Sequence, residues 1–148
     1  MEVLREALRR SLEDGPQALV TVIHTSGSTP RHAGARMVVG ADGSGFGTIG
    51  GGRVELEATG AAAQVATGAP ARRVRHHLVR DLAMCCGGTM ELYLQPVAPS
   101  AGAIERAVTL AAARRPARLI TDLTTGLMSL EELDAHGGRR PRLEGDRF

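Results

Sequence analysis

The chain has 148 residues, 43% of them hydrophobic, which is enough to bury one core but leaves little room for a second full domain. A formal net charge of +2, with both signs interspersed, builds no basic face for nucleic acid. Aromatic residues make up only 2% of the chain, so rows of rings that would stack on unpaired bases are missing as well.

The 18 basic residues are all arginine, so every one is permanently charged and offers a planar fork of donors to phosphate or carboxylate. No basic, apolar leader opens the sequence, and no apolar run nears the roughly 20 residues of a membrane span. A cytoplasmic protein with neither nucleic acid nor membrane as partner is expected. The cysteines, Cys85 and Cys86, are adjacent, a placement that disfavours an unstrained disulfide and suits thiols in a reducing compartment.

In chain order, Val3, Leu4, Ala7, Leu8 and Leu12 recur at helical spacing until Asp14-Gly15-Pro16 stops them. A strand is expected at 18–25, rich in β-branched residues and ending in the turn-forming run Ser26-Gly27-Ser28-Thr29-Pro30. A second strand at 35–39 runs into Asp42-Gly43, a pair suited to a tight reversal, and the two strands are expected to be neighbours. Val54, Ala58, Ala61, Ala62 and Val65 then mark a helix whose entrance is glycine-rich. Strands follow at 72–79 and 90–97, with a Cys-Cys-Gly-Gly turn between them. Ile104, Ala107, Val108 and Ala111 mark another helix, closed by Arg114-Arg115-Pro116, and 118–123 reads as a strand. Ser129 and Glu132 have the spacing of a capping box, predicting a short helix that ends at Gly137-Gly138 before a polar tail. Strands and helices mix without clean βαβ alternation. The expectation is α/β or α+β: a single compact domain with a mixed β-sheet packed by two or three helices.

Gly47, Gly50, Gly51 and Gly52 lie just ahead of a helix, where unpaired N–H groups and a partial positive charge can hold a phosphate. A tight turn packed on the sheet explains the same glycines. Gly45, Gly47 and Gly50 satisfy GxGxxG, but they follow two strands and a reversal, and no acidic residue stands at 66–72, so a dinucleotide fingerprint fits poorly. A phosphate loop of the GxxxxGK type fails for want of lysine. The segment 25–37 gathers hydroxyls with Arg31 and Arg36, a combination that can bind an oxyanion or form a self-bonded surface loop. In MCCGG the thiols have little steric cover and could serve as soft metal ligands or sulfur nucleophiles, or equally as inert thiols. A zinc site is not expected, because adjacent cysteines do not readily share one ion and His24, His32, His76, His77 and His136 lack ligand spacing. His76 and His77 read as structural.

Three blocks taken together, TSGSTPRHAGARMVV, DGSGFGTIGGGRVELEA and CCGGTMELYLQP, resemble the N-terminal domain of the XdhC/CoxI family. That family comprises accessory factors of xanthine dehydrogenase, carbon monoxide dehydrogenase and similar molybdenum hydroxylases. The resemblance places an XdhC/CoxI-like N-terminal domain over 1–126 and leaves 127–148 as the short helix and polar C-terminal tail. It implies binding of the molybdenum cofactor (molybdopterin), its protection during sulfuration, and its delivery to the apoenzyme, without turnover by this chain. The residues carried over are Ser28, Pro30, Arg31, Gly34 and Arg36, then Gly47, Gly50, Gly51, Gly52 and Glu55, then Cys86, Gly87 and Gly88. Cys86 is the metal ligand in this assignment, and no residue is assigned catalysis.

The implied partner is a molybdenum hydroxylase apoenzyme; a cysteine desulfurase, a second copy of the chain and a separate Rossmann-domain protein are further candidates. Many members continue into a nucleotide-binding Rossmann-like domain, and this sequence ends at Phe148, where that domain is expected to begin. Two other functions fit the residues: a cysteine-dependent sulfur-transfer enzyme acting through Cys86, or a module that docks on the dehydrogenase without holding cofactor.

Overall fold

A computed structural model describes residues 1–133 and 143–148. Its centre is a five-stranded sheet in the order β3-β2-β1-β5-β4, formed by β1 (Gln17–Ser26), β2 (Arg36–Gly40), β3 (Gly45–Gly47), β4 (Arg72–His77) and β5 (Thr89–Pro96). The expected class holds, although every pairing in this sheet is antiparallel rather than mixed. β1 lies at the middle and both of its faces are covered, which is why its apolar run is nearly continuous instead of alternating.

Alternation still decides which layer each side chain joins. Ala18, Val20 and Val22 of β1, Met37 and Val39 of β2, and Met90, Leu92 and Leu94 of β5 face α2 (Gly52–Ala66). α2 answers with Val54, Ala58, Ala62 and Val65, at helical spacing and almost wholly buried. Burial of each valine contributes about 1.5–3 kcal/mol, and the alanines let the helix lie close to the sheet. On the opposite face, Leu19 and Val38 meet Leu4 and Ala7 of α1 (Glu2–Glu13) and Ile104 of α4 (Ala101–Ala112). The result is three layers with the sheet in the middle.

The expected neighbours β1 and β2 pair from Gln17 opposite Gly40 to Thr21 opposite Arg36. The Asp42-Gly43 reversal joins β2 to β3, a strand too short and glycine-rich to announce itself in sequence. The run at 72–79 is a strand only to His77; a short helix, α3 (Leu78–Leu82), takes over, with the Asp81 carboxylate accepting the His77 N–H at 2.7 Å.

Beyond 126 the sequence reading needs correction. Residues expected to start a short helix form β7 (Met128–Glu132), paired with β6 (Ala117–Thr121) in a two-stranded sheet. Glu132 does not cap a helix but takes Arg106 at 2.6 Å and also meets Arg115, so cross-element pairing overrides the capping pattern. The helix end expected at Gly137-Gly138 lies outside the described residues, as does His136. The expected polar tail is docked where it is described: Phe148 is buried with Ile23 and Tyr93, and its N–H donates to Thr121 O at 2.9 Å.

Candidate functional site

The three motif blocks, scattered over some 70 positions of sequence, meet at one end of the sheet. β1 and β5 carry a register shift between Val22 and His24 and continue until Ser26 stands opposite Thr89. This brings the loop after β1 against the turn before β5. There the Gly88 N–H donates to Ser28 O at 2.9 Å, and a Cβ on Gly88 would come within 2.5 Å of Ser26 O. The glycine turn before α2 closes on the same loop: a Cβ on Gly50, itself at φ 128°, would meet Pro30 Cγ at 2.6 Å and Arg31 Cγ at 3.5 Å. A Cβ on Gly52 would lie 3.4 Å from Met84 Cε, just ahead of the cysteines. Ser28, Pro30, Arg31, Gly50, Gly52, Cys86 and Gly88 thus occupy one neighbourhood, with Gly51 and Gly87 facing open space. Ser28, Arg31, Gly52 and Gly87 are exposed there.

The glycine turn already holds an anion, and it is the protein's own. Glu55 Oε2 accepts from Thr48 Oγ1 at 2.6 Å and from the N–H groups of Ile49 and Gly51 at 3.0 Å each. The Gly50 N–H turns to Thr48 Oγ1, also at 3.0 Å. Burial raises the Glu55 pKa, but the bonds from Thr48 and the turn amides outweigh it and hold the carboxyl below the usual range. Of the amides read from sequence as a phosphate cradle, those of Gly50 and Gly51 are therefore satisfied internally, and Glu55 is the residue that shapes the turn. Thr48 and Met84 complete this arrangement and were not anticipated, because nothing in local spacing marks them.

Cys85 is exposed and Cys86 is half-buried against the core beneath α2. Burial, followed by the hydrogen bond and charge of Cys85, pushes the Cys86 thiol above its usual value; a hydrogen bond with Ser28 acts the other way. A thiol raised in this way stays protonated at neutral pH, which makes it a weak nucleophile. No cluster of three or more His, Cys, Asp or Glu side chains suited to a metal is present among the described residues.

Arg36, Gly47 and Gly34 stand apart from this neighbourhood. Because Met37 and Val39 point toward α2, Arg36 points to the other face, where it lines a cleft beside α1 and α4. A Cβ on Gly47 would strike Val3 Cγ2 at 2.7 Å, so this glycine lets α1 approach β3. Gly34, at φ 94°, donates to Val22 O at 2.8 Å and returns the loop to the sheet. His77 Nδ1 lies 2.9 Å from Thr89 Oγ1, a structural contact between β4 and β5.

This arrangement defines a layered α+β unit whose three motif loops converge at one end of a central antiparallel sheet. Residues 11–77 match the XdhC and CoxI family. A 124-residue stretch is 33% identical to the uncharacterized protein YqeB of Escherichia coli (strain K12), covering 76% of this chain and 23% of that protein. The fold is similar to a crystal structure of a xanthine dehydrogenase from Bacillus halodurans, with a TM-score of 0.72 and 25% identity over 99% of this chain and 46% of that one. The chain spans less than half the length of either. Its third block lies beyond the family match but within the structural likeness. No helix among the described residues is long and apolar enough to cross a membrane.

Proposed function

We propose that this chain is an accessory unit for a molybdenum hydroxylase of the xanthine dehydrogenase type, and that it binds the molybdenum cofactor as cargo for delivery to the apoenzyme. The observation that carries this reading is the convergence of the loop at 26–31, the turn at 50–52 and Cys86-Gly87-Gly88 at one end of the sheet, where Ser28, Arg31, Gly52 and Gly87 are exposed. Arg31 supplies a permanent positive charge, Ser28 a hydroxyl and Cys86 a soft sulfur, while Gly51 and Gly87 leave room for close backbone approach. Glu55 belongs to the support of this surface rather than to cargo contact, and the cargo's phosphate falls to Arg31 instead of the turn amides. A thiol that stays protonated until a metal displaces its proton suits transient holding, and counts against sulfur transfer by nucleophilic attack.

Anaerobic incubation with molybdenum cofactor, followed by metal analysis of the protein peak, tests the reading. Bound molybdenum should fall in both Cys86→Ser and Arg31→Ala; undiminished retention in both variants removes the proposed surface. A second reading, docking on the dehydrogenase without cargo, is favoured by the internally satisfied glycine turn. Co-purification with apoenzyme while the protein peak stays free of molybdenum would select it. A cysteine desulfurase, a second copy of the chain or a separate Rossmann-domain protein as further partners, and the division at residue 126, stay part of this proposal.

A further inference from the structure

Arg36 lines a cleft on the α1 and α4 side of the sheet. The cleft has a volume of about 490 Å³ and runs between α1, the end of α4, the β6–β7 hairpin and the docked residues 144–148. That volume lies within the roughly 300–1,000 Å³ typical of small-molecule sites. Its walls are largely apolar, with Leu4, Ala107, Leu119 and Phe148 among them. Among its charged lining residues Arg36 differs from Arg118, Glu131, Glu144 and Arg147: its Nε is buried without a hydrogen-bond partner, and no ion pair engages its guanidinium among the described residues. A buried, unsatisfied guanidinium nitrogen is uncommon enough to need an explanation. Burial pulls the Arg36 pKa below its ordinary value, yet a guanidinium keeps its charge at neutral pH.

Other charged side chains described at the cleft have partners of their own. Arg118 pairs with Glu131 at 3.1 Å, Arg147 lies near the Asp122 carboxylate, and Glu144 is not without a partner. Among the described side chains at the cleft, Arg36 carries a positive charge with no ion-pair partner, in a wall that includes Leu4, Ala107, Leu119 and Phe148. A single negative charge compensates it, whereas a dianion such as inorganic phosphate would bring an uncompensated charge near Glu131 and Glu144. We propose that this cleft binds an organic monocarboxylate, its carboxylate paired with Arg36 and its apolar body lying against Leu4, Ala107, Leu119 and Phe148.

Octanoate and its uncharged counterpart 1-octanol serve as probes in isothermal titration calorimetry of the full chain. Octanoate should saturate a single site and bind more tightly than octanol. Arg36→Met should weaken octanoate by at least about tenfold, the value of a charge-assisted pair, and leave octanol unchanged. Ala111→Phe, an exposed position on the cleft wall, should weaken both probes without touching the core, and it carries the test should Arg36→Met fail to fold. The proposal is overturned by the absence of saturable octanoate binding, by equal affinity for octanol, by unchanged octanoate binding in a folded Arg36→Met or in Ala111→Phe, or by displacement of octanoate with inorganic phosphate.

Discussion

Replacing Glu55 with alanine probes whether the turn that anchors the converged loops is held by its own carboxylate. The perturbation removes acceptors from the Thr48 hydroxyl and from the Ile49 and Gly51 amides. Thr48 can rotate toward water and Gly51 is partly exposed, but Ile49 is fully buried, so its N–H is left without a partner. An orphaned buried amide costs about 1–3 kcal/mol, and loss of a carboxylate in the first turn of a helix adds about 0.3–1 kcal/mol. We expect a loss near 3 kcal/mol, which for a domain of this size lowers the midpoint of thermal unfolding by about 10 °C. Glu55→Gln keeps the shape but not the charge and should lose about half as much at pH 7. Because the folded pKa is depressed, the carboxylate's contribution is complete above the unfolded value of 4.5 and fades as pH falls through the folded value. The gap between wild type and Glu55→Gln, followed by urea unfolding, should therefore narrow below pH 4.5. An alanine variant within about 0.5 kcal/mol of wild type at pH 7, or a gap that widens on acidification, would refute this account of the turn.

Gly87 and Gly88 make a matched pair: Gly88→Ala drives a Cβ toward Ser26 O and should cost about 2–3 kcal/mol, while Gly87→Ala enters open space and should stay within about 0.5 kcal/mol, both by denaturant unfolding. Titration with a chromogenic thiol reagent at pH 8 should give a fast phase from exposed Cys85 and a slow one from Cys86. Cys86→Ser should remove the slow phase, and Ser28→Ala should slow it further; two equal phases would contradict the burial of Cys86. Phe148→Ala should cost about 3 kcal/mol by thermal unfolding, since the ring is buried against Ile23 and Tyr93; no loss would mean that residues 143–148 are not docked.

What could be read in the sequence, and what could not, follows from how far each signal reaches along the chain. Apolar periodicity located β1, β2, β5, α1, α2 and α4, because their buried faces are set by residues two to four positions apart. β3 escaped, since three residues with two glycines become a strand only by pairing with Met37–Val39. β7 was misread because Ser129 and Glu132 have the spacing of a helix cap, while the partners that make Glu132 part of a sheet lie at Arg106 and Arg115. The candidate site divides in the same way. That a glycine-rich turn precedes α2 was legible, but that it is filled depends on Glu55 turning back toward the amides of residues 49 and 51, a geometry that no motif spells out. The placement of Arg36 was within reach: with Met37 and Val39 apolar, a period of two already sends residue 36 to the far face. Family resemblance grouped Arg36 with Arg31 because they are five positions apart in one block, and the pleat of β2 separates them. Proximity in sequence is thus the weakest guide at a strand start, where a shift of one residue changes which side of the sheet a charge serves. The two arginines consequently support different chemistry, Arg31 on the exposed loop surface and Arg36 inside an apolar cleft.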